Sequence, residues 1–248
     1  VNFSLLNRTK QQIRRILVDL NLPLTRNLKY DILTKKILAR ELNPDSSCVD
    51  VGAHKGEILD LVLALAPHGK HAAFEPIPSL HTALLAHYSG RVSIHPFALS
   101  NRSGNMLFNL VVDAPAYSGL QRRTYKSTAP KIETIEVEVR MLDEVLRNRD
   151  FPIRLIKIDV EGGELDVLKG ATAILTSDKP LLIFEFGKGA SEYYGTMPHH
   201  MLEFLEQHHY SIWTLSDFWQ KKSPLKGDQL KTIYEEGSDY YFVAGFNQ

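Results

Sequence analysis

The sequence predicts an α/β fold built on a mostly parallel sheet. Three observations predict it. From residue 48 onward, short apolar runs alternate with helix-periodic segments, the pattern of βαβ units. A glycine-bearing turn, Asp50-Val51-Gly52-Ala53-His54-Lys55-Gly56, separates the first run from its helix, and Glu75 stands at the end of the second. A later apolar run, 153–156, leads straight into Lys157-Ile158-Asp159-Val160-Glu161-Gly162-Gly163-Glu164. A central parallel strand is covered on both faces and is normally apolar throughout. Side chains alternate along a strand, so Lys157, Asp159 and Glu161 would share one face while the strand lasts. Carboxylates at the carboxyl end of a strand, just before a glycine turn, stand where open α/β sheets keep their ligand sites.

Each element follows from local pattern. Ile13, Ile16, Leu17 and Leu20 recur at helical spacing, and Pro23 ends that helix. A second helix is expected over 31–42, closed by Pro44. Strand 48–53, helix 58–66, strand 71–76, helix 79–88 and strand 92–99 form a βαβαβ half-sheet with right-handed crossovers. The middle departs from this rhythm. Residues 105–112 and 132–139 look like strands of a half-exposed, hairpin-like antiparallel insertion, joined by a long loop over 113–131. A short helix over 142–147 follows, then strand 155–160, helix 164–175, strand 181–186, helix 198–209 and strands 210–215 and 240–246. With no comparable helix expected between them, the last two strands should pair antiparallel at the sheet edge.

Composition bounds the function. Lys plus Arg and Asp plus Glu are 29 each, so the net charge is zero and nucleic acid is not expected as a bulk electrostatic partner. The one cysteine, Cys48, lies in a predicted strand; it is expected as buried filler and fits a reducing, cytoplasmic location. No run approaches the roughly 18 apolar residues of a membrane span. Residues 1–15 lack the apolar core of a signal peptide, and the missing initiator Met suggests a processed chain. The domain organisation expected is a helical extension over 1–45 and one catalytic domain over 46–248. Segments 127–130 and 221–228 have loop character, and there are no internal repeats.

In the first half-sheet, Gly52 and Gly56 let the backbone turn tightly beside a ligand, but the dinucleotide fingerprint G-x-G-x-x-G is absent. An acid ending the second strand, such as Glu75, can accept both ribose hydroxyls. Pro76 and Pro78 fix the turn behind it. Alternatives stay open: a plain tight turn for the glycines, and a helix N-terminal charge for Glu75.

These residues carry a resemblance. Asp50-x-Gly52-Ala53-x-x-Gly56, Glu75-Pro76-x-Pro78, Ala98-Leu99-Ser100 and Lys157-Ile158-Asp159-Val160-Glu161-Gly162-x-Glu164 resemble the FkbM family of S-adenosylmethionine-dependent methyltransferases. Ser118-Gly119-Leu120 and Glu185 resemble it as well, and the likeness runs from about Tyr30 to Gly187. It departs from the family at His54, where Asn is usual. The resemblance implies a class I Rossmann-like fold of seven strands with the last antiparallel. It implies that Asp50, Gly52, Ala53, His54 and Gly56 surround the methionine end of S-adenosyl-L-methionine. It further implies that Glu75 with Pro76 holds the ribose, and that Phe97 to Ser100, including Ala98 and Leu99, lies along the adenine. Hydroxyls on sugars or natural products are the acceptors it implies.

Methyl transfer from a sulfonium needs an aligned acceptor oxygen and a group to take its proton. Asp159, Glu161 and Glu185 are the candidate acids, with Lys157 as a neutralising partner and Asp159 also counted toward the cofactor. Close carboxylates raise each other's pKa, which suits a base or a divalent-metal site; a metal is left open and no ligand set is assigned. The bland alternative is a buried Lys157–Asp159 or Lys157–Glu161 pair with helix-cap acids. The pairs His199-His200 and His208-His209 lack zinc spacing and are expected at the surface. Arg122, Arg123, Tyr125 and Lys126 give the long loop donors and an aromatic for an acceptor. Two other classes stay in view: an NAD-dependent sugar-modifying enzyme, and a non-catalytic binding module on the same fold. The oligomeric state is open, a homodimer included.

Overall fold

The computed structural model describes residues 22–124 and 130–247, with Ile13, Leu17, Val18 and Leu20 besides. The helix expected around Ile13 to Leu20 falls largely outside them, as do Tyr125 and Lys126. Strands are numbered in chain order: β1 (Ser47–Val51), β2 (His71–Phe74), β3 (Val92–His95), β4 (Ala98–Leu99), β5 (Gly104–Val111), β6 (Ile132–Arg140), β7 (Ile153–Ile158), β8 (Leu181–Glu185), β9 (Tyr210–Thr214) and β10 (Tyr241–Phe246). Among the described residues, seven of them form one sheet in the order β3-β2-β1-β7-β8-β10-β9. The β3-β2-β1-β7-β8 neighbours pair parallel, and β10 runs antiparallel to both β8 and β9. This is the doubly wound, Rossmann-like arrangement the sequence pattern predicts. Its strand order reverses between β1 and β7, and the crevice at that switch point is where such sheets bind ligands.

Helices close both faces. They are α1 (Arg26–Glu41), α2 (Glu57–Leu65), α3 (Pro78–Tyr88), α4 (Leu142–Val145), α5 (Glu164–Lys169), α6 (Thr172–Asp178), α7 (Pro198–Gln207), α8 (Leu215–Trp219) and α9 (Gly227–Glu236). Strand alternation sorts the core. Val49, Ile156, Phe184 and Phe242 point to one face, against Leu168, Ile174, Leu205 and Leu230. Cys48, Leu155, Ile183 and Val243 point to the other, against Ile37 and Leu38 of α1, Val62 of α2 and Leu215 of α8. The same alternation decides where charge goes. Asp50 and Lys157 are register partners in β1 and β7, and Glu185 and Tyr241 are partners in β8 and β10. All four continue the Cys48–Leu155–Ile183–Val243 face to the carboxyl end of the parallel strands.

Several boundaries differ from expectation. The strand expected over 92–99 is two: Pro96 cannot donate to a ladder, and Ala98–Leu99 leaves the main sheet to pair with β6 beside β5. The strand expected over 155–160 ends at Ile158, so Asp159 and Glu161 stand on the turn beyond it. The helix expected over 164–175 breaks at Gly170, where a Cβ would lie 2.1 Å from the Ser100 carbonyl oxygen. Segment 221–228 is not all loop, for α9 begins at Gly227 and buries Leu230 and Tyr234. Two helices therefore lie between the closing strands, and β10 sits inside the sheet with β9 at its edge. Among the described residues no helix is long and apolar enough to cross a membrane.

Candidate active site

A cleft opens at the switch point. Gly52, Glu75, Leu99, Asp159, Glu161 and Tyr194 are among the residues that line it. Gly52 makes the floor narrow: its backbone is left-handed, and a Cβ there would lie 1.9 Å from the Asp159 carbonyl oxygen. The turn after β1 is held by the Gly52 and Ala53 N–H groups, which donate to the Phe74 carbonyl at 3.0 and 3.1 Å. Gly56 precedes α2 in a left-handed conformation, under the Tyr88 hydroxyl that donates to its carbonyl at 2.8 Å.

Glu75 ties the turns of β1 and β2 together. Its Oε2 accepts the His54 N–H at 2.8 Å, and its Oε1 accepts the Ile77 N–H at 2.9 Å. Each carboxylate oxygen has two lone pairs, so one per oxygen is left for a ligand diol. Burial pushes the Glu75 carboxyl above its ordinary range, while the two backbone N–H groups pull it back. His54 lines the cleft and has φ 48°, a left-handed position that Asn and His tolerate better than most residues.

Of the residues expected to hold a cofactor, Gly52, His54, Glu75, Pro76, Ala98, Leu99 and Asp159 line the cleft. Asp50, Ala53 and Gly56 do not; they sit behind it. Asp50 is 2% exposed and faces the Lys157 ammonium at 3.5 Å. Neither of its carboxylate oxygens has a hydrogen bond of good geometry among the described residues. Burial raises its pKa and Lys157 partly offsets this.

The charged run after β7 forms a compact network. Lys157 reaches Asp50 on one side and Asp159 Oδ2, at 3.6 Å, on the other. It also donates to the Gly52 carbonyl at 3.4 Å. Burial disfavours its charge, but Asp159 and Asp50 outweigh that and hold the ammonium above its ordinary range. Lys157 is thus an internal counter-ion beneath the cleft floor. Burial also works against ionised Asp159, yet Lys157 and hydrogen bonds from Glu185 and Tyr241 keep its carboxyl below the usual range. Glu185 goes the other way: burial, then the charges of Asp159 and Glu161, push it well up. Glu161 is pushed up to about 8, first by burial and then by Asp159, with Arg123 opposing.

Asp159, Glu161 and Glu185 each bring one carboxylate oxygen within 4.8 Å of the others. Lys157 and Arg123 already face this cluster as cations, so the spacing alone does not call for a metal. Glu164, expected as a cap acid, is buried and stitches the turn: its Oε1 accepts the Val160 and Gly162 N–H groups at 3.1 and 3.0 Å. This turn places Glu161 at φ 61°, a strained setting that clusters at functional sites.

One contributor, Tyr241, escaped the sequence reading. Tyr241 donates its hydroxyl to Asp159 Oδ2. Tyr194 accepts the Gln121 N–H at 3.2 Å, and Tyr193 accepts the Thr124 N–H at 3.1 Å, so both pin the long loop over the cleft. Pro115, Ser118 and Leu120 of that loop form the roof, and Arg123 reaches from it to Glu161 Oε2. Only β10 pairing beside β8 reveals Tyr241, and local pattern does not encode that.

A family model for the methyltransferase FkbM domain matches residues 50–212. The chain belongs to the FkbM methyltransferase family. Over 189 residues it is 25% identical to the AMB antimetabolite synthetase AmbE of Pseudomonas aeruginosa, covering 61% of this chain and 9% of that protein. The crystal structure of methyltransferase FkbM from Methylobacillus flagellatus matches with a TM-score of 0.50 at 18% identity, covering 82% of this chain and 44% of that one. A precorrin-6y C5,15-methyltransferase from Geobacter metallireducens matches with a TM-score of 0.47 at 13% identity, covering 88% of each chain. This FkbM-family chain therefore spans less than half the length of the first two, and its fold is that of Rossmann-like methyltransferases.

Proposed function

We propose that this protein is an S-adenosylmethionine-dependent O-methyltransferase acting on a hydroxyl of a small molecule, a sugar or natural product. The observation that carries the reading is the convergence of Asp159, Glu161 and Glu185, of which Asp159 and Glu161 line the cleft together with Glu75. A cleft so rich in carboxylates suits a cationic sulfonium cofactor. It opposes the pyrophosphate of a dinucleotide, for which the turn after β1 also lacks the glycine cradle.

When bound, S-adenosyl-L-methionine supplies an electrophilic methyl group. Glu75 offers its free lone pairs to the ribose hydroxyls, and Ala98 and Leu99 give an apolar wall for the base. Asp159 and Glu161 orient the acceptor hydroxyl, and one of them takes its proton, a contribution of about 10²–10⁴-fold. The roof segment excludes water from the reacting oxygen. The domain runs from residue 46, and the buried single cysteine fits a cytoplasmic location.

The test has two stages. Calorimetry should give one-to-one binding of S-adenosylhomocysteine and none of NAD. A screen of sugars and hydroxylated natural products, each beside its deoxy analogue, should then release S-adenosylhomocysteine only when the hydroxyl is present. NAD binding instead would replace this reading with the oxidoreductase one. Cofactor binding without transfer to any hydroxyl would favour a binding module.

A further inference from the structure

Beyond the acids themselves, one group reaches the reacting centre along the same face of the sheet from a strand late in the chain. We propose that Tyr241 is a positioning residue that locks Asp159 as a fixed anion and thereby leaves proton removal to Glu161. The inference rests on the methyltransferase reading of this cleft.

Strand β10 inserts between β8 and β9, and its register sets Tyr241 beside Glu185. The Tyr241 ring is fixed by its neighbours, with the Tyr30 centroid at 5.4 Å and the Tyr240 centroid at 6.1 Å. Its hydroxyl donates to Asp159 Oδ2. Asp159 is met from three strands at once: Lys157 on β7, Glu185 on β8 and Tyr241 on β10. Asp50 on β1 stands behind Lys157 with Glu57 of α2 near both, and Glu161 and Glu164 are the further acids that feel the Asp159 charge. Glu185 brings a carboxylate oxygen within 4.8 Å of Asp159, and burial with the charges of Asp159 and Glu161 pushes its carboxyl well up, so Glu185 is the better proton holder of the pair. A carboxylate that accepts a phenol hydrogen bond and faces an ammonium at 3.6 Å is favoured in its charged form. It is a poor proton acceptor and a good fixed charge. Glu161 differs: it projects from a left-handed turn residue, lines the cleft, and pairs with Arg123 from the roof.

The test compares Tyr241→Phe with Tyr30→Phe, whose hydroxyl donates to Asp239 at 2.8 Å rather than to Asp159. Aspartate side-chain carboxyls are titrated by carbon-13 NMR in protein saturated with S-adenosylhomocysteine, and Asp159→Asn identifies the Asp159 signal. In Tyr241→Phe the Asp159 midpoint should rise by about one pH unit or more. With the acceptor found by the screen, kcat should fall about ten-fold while the acid limb of the pH profile, set by Glu161, stays in place and S-adenosylhomocysteine affinity stays within about two-fold. Tyr30→Phe should change neither. An unmoved Asp159 midpoint in a folded Tyr241→Phe overturns the assignment, and so does an equal effect of Tyr30→Phe. Failure of the unaltered protein to bind S-adenosylhomocysteine sinks the methyltransferase reading instead, so the two failures are distinguishable.

Discussion

Arg123 and Glu161 form a buried ion pair between the roof of the cleft and the turn after β7, with side chains 7% and 14% exposed. The pair sets a roof cation against the charge of the candidate base. Arg123 favours ionised Glu161, so removing it raises a carboxyl already near 8. Arg123→Gln should move the acid limb of the turnover–pH profile upward, cutting turnover near pH 7 by about ten-fold and recovering toward pH 9. A profile that only scales down, with no shift along pH, would contradict this coupling.

Asp159→Asn and Glu161→Gln should each lower turnover by at least about ten-fold in folded protein. Glu161→Gln should be the worse of the two, since it removes the proton acceptor. Circular dichroism and single-turnover release of S-adenosylhomocysteine check both points. Normal turnover in both variants would remove these acids from the mechanism.

Lys157 balances Asp50 and Asp159 from below the floor. Lys157→Met leaves both carboxylates without their shared cation, which typically costs about 3–5 kcal/mol. The urea midpoint should drop accordingly at pH 7. The loss should shrink as pH falls and the carboxyls take up protons. A midpoint equal to that of the unaltered protein would mean the network carries no net stability.

Glu75 has two duties. Glu75→Gln keeps its shape and an acceptor but loses the charge, and S-adenosylhomocysteine affinity should fall at least ten-fold, or about 1.4 kcal/mol. Glu75→Ala should also free the His54 and Ile77 N–H groups, adding about 1–3 kcal/mol of destabilisation for each one left buried without a partner. Calorimetry and denaturant unfolding separate the two effects. Unchanged affinity in Glu75→Gln would take Glu75 out of the cofactor site.

The raised acids set a pH dependence of stability. Burial lifts Glu161 to about 8 and Glu164 to about 7. The folded protein therefore binds protons more tightly there than the unfolded chain. Their contribution is fully present below the ordinary glutamate value and is lost as pH rises through about 7 and 8. Asp159 acts oppositely, its contribution disappearing only as pH falls below the ordinary aspartate range. The melting temperature should decline from pH 5 to pH 9, and less steeply in Glu161→Gln. An equal slope in both proteins would contradict the Glu161 assignment.

Local chemistry made much of this legible in the sequence. Glycines at 52 and 56, the acid ending β2 and the charged run after β7 announce the switch-point cleft because turns and alternation are short-range matters. The rest depends on distant pairing. Nothing near Tyr241 says that β10 enters the sheet between β8 and β9, and nothing near Arg123 says that it meets Glu161. Other signals were local yet overlooked. Pro96 divides β3 from β4, and Leu230, Ile233 and Tyr234 have the spacing of α9 despite the polar stretch before them.

The most direct test is calorimetric titration of the protein with S-adenosylhomocysteine, with NAD titrated in parallel. One site with a dissociation constant in the micromolar range, weakened by Glu75→Gln, and no heat from NAD is the predicted result. No binding of S-adenosylhomocysteine to folded protein, or saturable binding of NAD in its place, would contradict the account.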